Sequence, residues 1–306
     1  MGNRFLVGVL FALICALSYS VNPVLGKLGY ATGLSTVSIL QGRFVFAVIG
    51  MVLVFPFFDR AFLKPSFEVI KRSFVIGTFI LIPMNLLYVF SLKGIPASLM
   101  SLITYLYPLA VLLMSRAFLG KAIKKHHALS IGLIVLGSFC VFSDALMVNI
   151  SPVTLSIAIV AMLFYAAYMV AFERLGQRQN PLHITFWSLL ITAIGLLFIP
   201  SDQPLWNMTA PQLGVCFAYG IISTMMATVF LFLAISTLGA IEAGIFCSFE
   251  PIFTICVSAV VLGEDITTTR LMGMVLLVAA IVIPNYRNLK QNKRKDFQKI
   301  SSEVIR

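Results

Sequence analysis

Long apolar stretches alternate along the chain with short polar stretches that contain lysine, arginine, glycine or proline. A helix of about 20 residues, rising about 1.5 Å per residue, crosses the roughly 30 Å hydrocarbon layer of a bilayer. Residues 211–262 contain no lysine or arginine and are too long for one crossing, so we divide them at the turn-forming sequence 236–239. The pattern then predicts an all-α membrane protein with ten transmembrane helices, at about 5–26, 37–58, 73–92, 96–119, 127–144, 152–172, 182–200, 211–236, 240–262 and 270–286.

Composition supports this interpretation, because only 11% of the 306 residues are charged and 60% are hydrophobic, with a mean hydropathy of +1.01. Soluble domains are nearer 25% charged. The five cysteines lie in the predicted spans without CxxC spacing, which indicates small buried residues and neither a disulfide framework nor a metal site. The chain contains no HExxH, GxSxG or GxxxxGKS/T sequence, so we predict neither an enzyme nor a bound cofactor.

An alignment of the chain on itself indicates an internal repeat. Gly94–Ile123, laid without gaps on Thr237–Ile266, pairs Pro108 with Pro251 and brings the terminal Leu-Gly sequences of both segments into register. Five helices in each half would make the second half enter the membrane from the opposite side, and such inverted repeats hold substrate between them near the midplane. We predict a first repeat at 1–146, a second at 147–286 and a basic cytoplasmic tail at 287–306, with a central cavity between the repeats.

The net charge of +11 is distributed unevenly over this topology. With the N-terminus inside, eighteen of the 22 basic residues fall on the inner side, and only Lys27, Arg43, Lys93 and Arg270 fall on the outer side. Because basic loops stay in the cytoplasm, we expect both termini to be cytoplasmic and the protein to lie in the inner cell membrane. The charge therefore requires no nucleic-acid partner, and the tail either lies beside anionic lipid or binds a partner.

Glu250 lies inside one of the apolar segments. An acidic side chain at the centre of a membrane helix costs roughly 2.5–3.5 kcal/mol, so such residues are usually paired, protonated or turned toward a wet cavity. Pro251 follows directly and cannot donate a backbone hydrogen bond, which allows the helix to bend there. We identify Glu250 as a candidate for substrate binding and for proton coupling; the alternative is a neutral side chain packed against a neighbouring hydroxyl group.

Arg43 lies about 9 Å inside the outer end of its predicted helix, at 1.5 Å per residue. There it could contact an anionic group of a substrate, such as a carboxylate. It could equally extend toward the membrane surface or pair with a group inside the protein. The sequence slightly favours these structural roles.

Other polar or aromatic residues inside the spans are candidates for the cavity wall. Proline neighbours two of the asparagines, and bent helices at mid-depth expose backbone groups that can hold a charged ligand. The same side chains also join membrane helices through hydrogen bonds, so a structural role stays open for each. We predict substrate binding by Asn22, Asn85, Tyr88, Tyr105, Tyr165, Tyr168 and Thr228, and bending or gating at Pro108 and Pro251.

The chain resembles the EamA family of the drug/metabolite transporter superfamily. The resemblance rests on the paired ends Pro108 to Lys121 and Glu250 to Glu264, on Arg43-Phe44, and on the turn at residues 93–98. It implies two inverted five-helix repeats around a central cavity, alternating access, and export or import of small metabolites that include amino acids. Two features depart from the family pattern: Lys121 stands where the family often has glutamate, and Tyr19-Ser20 replaces a common Trp-Gly pair.

These observations predict a secondary-active exporter of a small metabolite, best represented by an amino acid or a similar amphipathic compound. Its partners would be the substrate, the lipid bilayer and, through Glu250, protons. The alternative is a lipid-handling or channel-like protein of the same helical build.

Overall fold

The structure is a computed structural model that describes residues 2–57, 60–95, 97–141, 150–176, 179–262, 268–269 and 271–280. Within these residues all regular structure is helical and no strand occurs. The α-helices are α1 (Gly2–Ser20), α2 (Asn22–Ala31), α3 (Thr36–Val54), α4 (Phe67–Ile76), α5 (Ile82–Gly94), α6 (Ala97–Thr104), α7 (Tyr107–Leu119), α8 (Lys125–Val141), α9 (Pro152–Leu175), α10 (Pro181–Leu197), α11 (Ala210–Ala218), α12 (Ala227–Leu238), α13 (Ala240–Cys247), α14 (Glu250–Leu262) and α15 (Leu271–Ala280).

Seven helical stretches are long and apolar enough to cross a membrane, and each coincides with a predicted span. Shorter apolar helices occupy the other three predicted segments, so a total of ten crossings stays a prediction. The predicted turn at 236–239 is confirmed, because α12 ends at Leu238 and Gly239 adopts a φ of 93° before α13 begins. The seven stretches are Arg4–Ala31, Thr36–Phe57, Phe67–Gly94, Met100–Leu119, Pro152–Leu175, Ala210–Leu238 and Ala240–Val257.

Several spans are interrupted, and each interruption precedes a proline. The α6–α7 break at residues 105–106 precedes Pro108, and the α13–α14 break at residues 248–249 precedes Pro251. The two prolines are 143 positions apart (251 − 108), and so are the two breaks. Both breaks thus lie beside the prolines at which the sequence predicts bending or gating. In the first span the chain turns at Val21, ahead of Asn22, whereas α9 has no matching break.

Two π-helical segments widen the helix in a second pair of spans. They are Gly77–Leu81, between α4 and α5, and Tyr219–Met226, between α11 and α12. Gly77 and Gly220 are again 143 positions apart (220 − 77). Wide helical turns of this kind often mark functional sites, because they displace side chains from their regular positions.

Helices from the two halves of the chain pack against each other throughout the bundle. Helix α1 packs on α12, α13 and α14; α5 and α7 pack on α9; and α3 packs on α10 and on the segment Tyr219–Met226. Buried side chains at these contacts belong to both halves, for example Phe44 and Phe232. The boundary between the halves therefore runs through the centre of the molecule.

Basic residues collect at one end of the bundle, which we call the basic end. There Lys121, just after α7, forms an ion pair with Glu173 of α9, and the Arg72 Nη1 donates to the carbonyl of Leu175 at 2.7 Å. Arg4 lines the same surface groove as Lys121. The charge asymmetry predicted from the sequence thus corresponds to a spatial cluster. Arg178, Arg270 and the tail at 287–306 lie outside the described residues.

We expect the substitution Gly220→Ala to destabilise the bundle. A β-carbon at Gly220 would lie 2.6 Å from the carbonyl oxygen of Arg43 and 2.9 Å from the backbone nitrogen of Ala47, so α3 would have to move away. Overpacking of this kind costs about 1–3 kcal/mol. Thermal unfolding of the detergent-solubilised protein measures the effect, and Gly214→Ala, in α11 with no atom within 4 Å of the added carbon, is the matched control. Equal melting temperatures for the two variants would contradict this account of the contact.

Candidate functional site

A cavity lies at the boundary between the halves. Its volume, measured as the space that the centres of water molecules can occupy, is about 60 Å³. At about 10–15 Å³ of such volume per water, it has room for roughly five waters or a small solute. Its wall is contributed by both halves, from α1 and α14 at the interrupted spans to the segment Tyr219–Met226.

Most of the candidates chosen from the sequence line this cavity. Tyr105 is buried beside it, and its hydroxyl group interacts with the Glu250 carboxylate. Pro108 and Pro251 are not in the wall; they are the second residues of α7 and α14, directly after the two breaks. The structure thus brings the candidates together, while a role in binding stays a prediction for each. Those in the wall are Asn22, Arg43, Asn85, Tyr88, Tyr165, Tyr168, Thr228 and Glu250.

Arg43 is fixed by contacts on two sides. Only 4% of the residue is exposed, its Nε donates to Thr224 Oγ1 at 2.5 Å, and its guanidinium carbon lies 4.3 Å from the ring centroid of Tyr219. Both partners come from the π-helical segment of the second half. One terminal nitrogen, Nη1, is buried and has no hydrogen-bond partner among the described residues. Arg43 therefore does not extend to the membrane surface; it is held at the cavity with donor capacity left over.

Glu250 enters the cavity wall because the helix restarts at this residue. It is the first residue of α14, and the two preceding residues form the break after α13. Its side chain is half-buried, and Thr254 one turn later donates to the Glu250 carbonyl at 3.0 Å. The N-terminus of a helix favours a negatively charged group, since its backbone N–H groups are unpaired. The position therefore suits a carboxylate that faces a ligand.

Tyrosines form one side of the cavity. Tyr165 makes edge-to-face contacts with Tyr107 at 4.9 Å and with Tyr19 at 6.2 Å between ring centroids. The hydroxyl group of Tyr107 donates to the carbonyl of Gly244 at 2.9 Å, which joins α7 to α13. Such a wall is both apolar and able to form hydrogen bonds.

Two asparagines contribute amide groups at interrupted parts of the backbone. Asn85 Nδ2 donates to the carbonyl of Leu81 at 2.8 Å, at the end of the first π-helical segment. Asn22 begins α2, and its buried Oδ1 has no hydrogen-bond partner within the part of the chain that the structure describes. A ligand or a water in the cavity would supply the missing donor.

Sequence reasoning missed part of the cavity wall. Thr224 lies one helical turn before Thr228, and Ser101 and Thr104 are three residues apart on α6, so helical spacing could have found these three. The remaining residues are ordinary for a membrane helix and carry no signal in the sequence. They are Tyr19, Phe44, Leu81, Met84, Ala161, Met162 and Leu189.

Helix α9 also connects the cavity with the basic end. Tyr168 lines the cavity, and Phe172, one turn later, stacks on Phe232 with ring centroids 3.5 Å apart. Phe172 and Glu173 lie in the wall of the groove at the basic end. The Glu173 carboxylate binds both Lys121 and the backbone N–H of Ala240, the latter at 2.7 Å. An aromatic stack and an ion pair thus lie beside this groove, further along α9 than the cavity residue Tyr168.

A second charged contact crosses the halves nearby. His127 Nε2 of α8 lies 3.3 Å from the carboxylate of Glu242, in the first turn of α13. Two links at the basic end therefore each pair a basic residue of the first half with an acidic residue of the second.

Membrane-length helices around a polar, charged cavity are the build of a membrane transporter. The profile of the EamA-like transporter family matches residues 6–143 and 153–286, and the chain belongs to this family. A solved crystal structure shares the fold, with a TM-score of 0.69 and 18% identity over 90% of this chain and 95% of the other.

Two similar relatives are named as exporters. The threonine/homoserine exporter RhtA of Escherichia coli is 25% identical over 221 residues, which cover 70% of each chain. The pseudopaline exporter CntI of Pseudomonas aeruginosa is 26% identical over 238 residues, or 75% of this chain and 78% of the relative. The expected family and a membrane transport function are thus confirmed.

We expect Thr224→Val to destabilise the protein, because it removes the acceptor of a buried guanidinium N–H while it preserves the shape of the side chain. A buried donor left without a partner costs about 1–3 kcal/mol. Thr224→Ser retains the hydroxyl group and is the control. Thermal unfolding in detergent compares the two variants, and a valine variant as stable as the serine variant would show that Thr224 does not hold Arg43.

Proposed function

We propose that the protein is a secondary-active exporter of a small metabolite, best represented by an amino acid or a similar amphipathic compound, and that it works by alternating access. The observation that carries this proposal is the cavity between the halves, which combines Arg43 and Glu250 with hydroxyl and aromatic groups. Membership of a transporter family and the names of the two relatives support the export direction.

The architecture that we propose for this function has ten crossings in two inverted repeats, at 1–146 and 147–286. Support comes from the spacing of 143 positions (251 − 108 and 220 − 77), which relates both the proline breaks and the two π-helical segments. The family profile matches the chain twice, once in each half. Five crossings per repeat would give the two halves opposite orientations in the membrane.

We assign the basic end to the cytoplasm, with both termini there and the protein in the inner cell membrane. The assignment rests on the excess of basic residues at this end. In the described arrangement the cytoplasmic side is then the closed side. An export cycle requires that this side open, so that the Lys121–Glu173 pair and the stack of Phe172 on Phe232 separate.

Energy for uphill export would come from protons through Glu250. Tyr105 interacts with this carboxylate, and Arg43 lies on the wall of the same cavity. A carboxylate that holds either a proton or the substrate, but not both, exchanges one for the other across the membrane. This competition links the proton gradient to the movement of substrate.

The transport proposal is tested in everted membrane vesicles, with Glu250→Gln as the diagnostic variant. Comparing metabolites released by cells with and without the protein selects the compound, and labelled L-threonine is the first probe. We expect wild-type vesicles with an acidic lumen to accumulate the probe against its gradient, and Glu250→Gln to lose that accumulation about tenfold or more. Glu68→Gln, on an exposed side chain, is the control. Uphill transport by Glu250→Gln in response to a pH gradient would rule out the coupling role.

A disulfide across the halves tests alternating access against a channel-like or lipid-handling protein. A β-carbon on Gly8 of α1 would lie 2.7 Å from Leu238 Cγ of α12, so cysteines at these two positions fall within the separation that a disulfide needs. In a background without the native cysteines, we expect oxidation of Gly8→Cys/Leu238→Cys to stop transport and reduction to restore it. The single-cysteine variants should be insensitive to oxidant. Unchanged flux through the cross-linked protein would favour the channel.

A further inference from the structure

Arg43 and Glu250 face the cavity from different halves without forming an ion pair. Among the described residues, no acidic group lies within 4.0 Å of the guanidinium, and no basic group lies within 4.0 Å of the carboxylate. Opposite charges attract strongly in an apolar interior, and intramembrane charges usually pair with one another. A wall that presents both charges but keeps them apart has the chemistry to bind a ligand with two charges of its own.

The positive pole of the site is the guanidinium of Arg43, and its contacts within the protein fix its orientation. Thr224 occupies Nε of Arg43 and Tyr219 covers one face of the guanidinium. The buried Nη1 then has no acceptor among the residues that the structure describes. A guanidinium offers its terminal N–H groups to a carboxylate in a fixed planar geometry. The unoccupied donor therefore matches a carboxylate on the ligand.

The negative pole is less enclosed. Glu250 is half-buried at the start of α14, and the hydroxyl group of Tyr105 contacts its carboxylate. The other acceptor positions of the carboxylate can take the hydrogen atoms of an ammonium group. Asn22 Oδ1, which likewise has no donor among the described residues, is a further acceptor in the same wall.

The other residues of the cavity wall limit the size and chemistry of the ligand that can lie between Arg43 and Glu250. Met84, Met162 and Leu189 supply apolar surface, and Ser101, Thr104 and Thr228 supply hydroxyl groups. About 60 Å³ is open to water centres, the space of roughly five waters. This space suits a compact ligand with a short side chain that is apolar or carries a hydroxyl group.

We infer that the cavity selects small zwitterions, with the carboxylate of the ligand at Arg43 Nη1 and its ammonium group at Glu250. The inference rests on the proposed transport function and adds the chemical rule by which the site accepts a substrate. A ligand that lacks either charge would leave one pole of the site desolvated and unpaired, which disfavours its binding. Neither the ammonium group nor the carboxylate of such a molecule should be sufficient for tight binding on its own.

Three structurally related probes test the rule. They are L-threonine, its decarboxylated analogue 1-aminopropan-2-ol, and its deaminated analogue 3-hydroxybutyrate. The apparent dissociation constant of each is measured from the concentration that stabilises the purified full-length protein in detergent against heat, a readout that does not require transport. We expect L-threonine to bind about tenfold or more tightly than either analogue, since each lacks a hydrogen-bonded charge.

Substitutions of Arg43 and Glu250 test separately which residue binds the carboxylate of the ligand and which binds its ammonium group. We expect Arg43→Gln to lower the affinity for L-threonine about tenfold, to the affinity for 1-aminopropan-2-ol. The affinity for that amine itself should not change. Glu250→Gln should lower the affinity for L-threonine to the affinity for 3-hydroxybutyrate, while the affinity for that acid should not change. Arg43→Lys and Glu250→Asp retain the charges, so the three probes should keep the same order of affinity. These variants provide a test if the neutral variants do not fold. Glu68→Gln is the control outside the cavity.

Three results would overturn the inference. One is wild-type protein that binds either analogue as tightly as L-threonine. Another is Glu250→Gln that binds L-threonine normally but no longer couples it to protons, which would make this carboxylate a proton site only. The third is an absence of stabilisation by every member of a panel of the twenty L-amino acids. The release of a non-zwitterionic metabolite by cells that contain the protein would then separate failure of this rule from failure of the transport function.

Discussion

A guanidinium group inside an apolar helical bundle requires compensation, and the way Arg43 obtains it organises the centre of this protein. Removing a charge from water is costly unless hydrogen bonds and opposing dipoles replace the lost solvent. The compensation comes from one segment, Tyr219–Met226, whose π-helical turn places both Tyr219 and Thr224 at the side chain of Arg43. Gly220 in the same turn lets the backbone of α3 approach closely. The contacts that hold the charge of Arg43 in place are thus the same contacts that join the two halves of the chain.

The cavity coincides with irregular backbone. In lipid, every backbone N–H and C=O group needs an internal partner, so interrupted helices are tolerated only where protein or water surrounds them. Side chains near the cavity satisfy several exposed carbonyls: Asn85 bonds Leu81, and both Tyr107 and Ser248 bond Gly244. These side-chain bonds add to the backbone pairing, since the Gly244 carbonyl also accepts the backbone N–H of Ser248 at 3.2 Å. Irregular geometry and side-chain polarity therefore occur together, and they supply the groups that a polar ligand can use.

The contacts that join the halves differ between the two ends of the bundle. At the basic end, charged pairs connect the halves, and Glu173 binds Lys121 and the backbone of α13 at once. Away from that end, neutral hydrogen bonds dominate, such as that from Gln212 to the carbonyl of Thr32 at 2.8 Å. Partly exposed ion pairs contribute little net stability and exchange readily with water. They suit contacts that form and separate during a transport cycle. The departure of Lys121 from the family pattern has a local reason, because its partner is Glu173.

The sequence by itself determined the membrane class, the apolar spans, the positions of the breaks and the acid at one of them. Each of these depends on a short stretch of chain: hydrocarbon thickness fixes the length of a span, proline removes a backbone donor, and a carboxylate is costly wherever it is surrounded by lipid. These local rules found eight residues that do line the cavity, including Arg43 and Glu250.

Only the tertiary structure decided which way a helix turns its side chains. Ser223 and Thr224 are adjacent and both buried, yet only Thr224 reaches Arg43 and the cavity, because neighbouring residues of a helix point in different directions. The pairing of Lys121 with Glu173 likewise depends on packing between α7 and α9, far apart in sequence. In a membrane helix all faces are apolar, so hydrophobic periodicity carries little information on orientation. Rotation of each helix about its axis is fixed by contacts between helices, and the sequence of one span does not contain them.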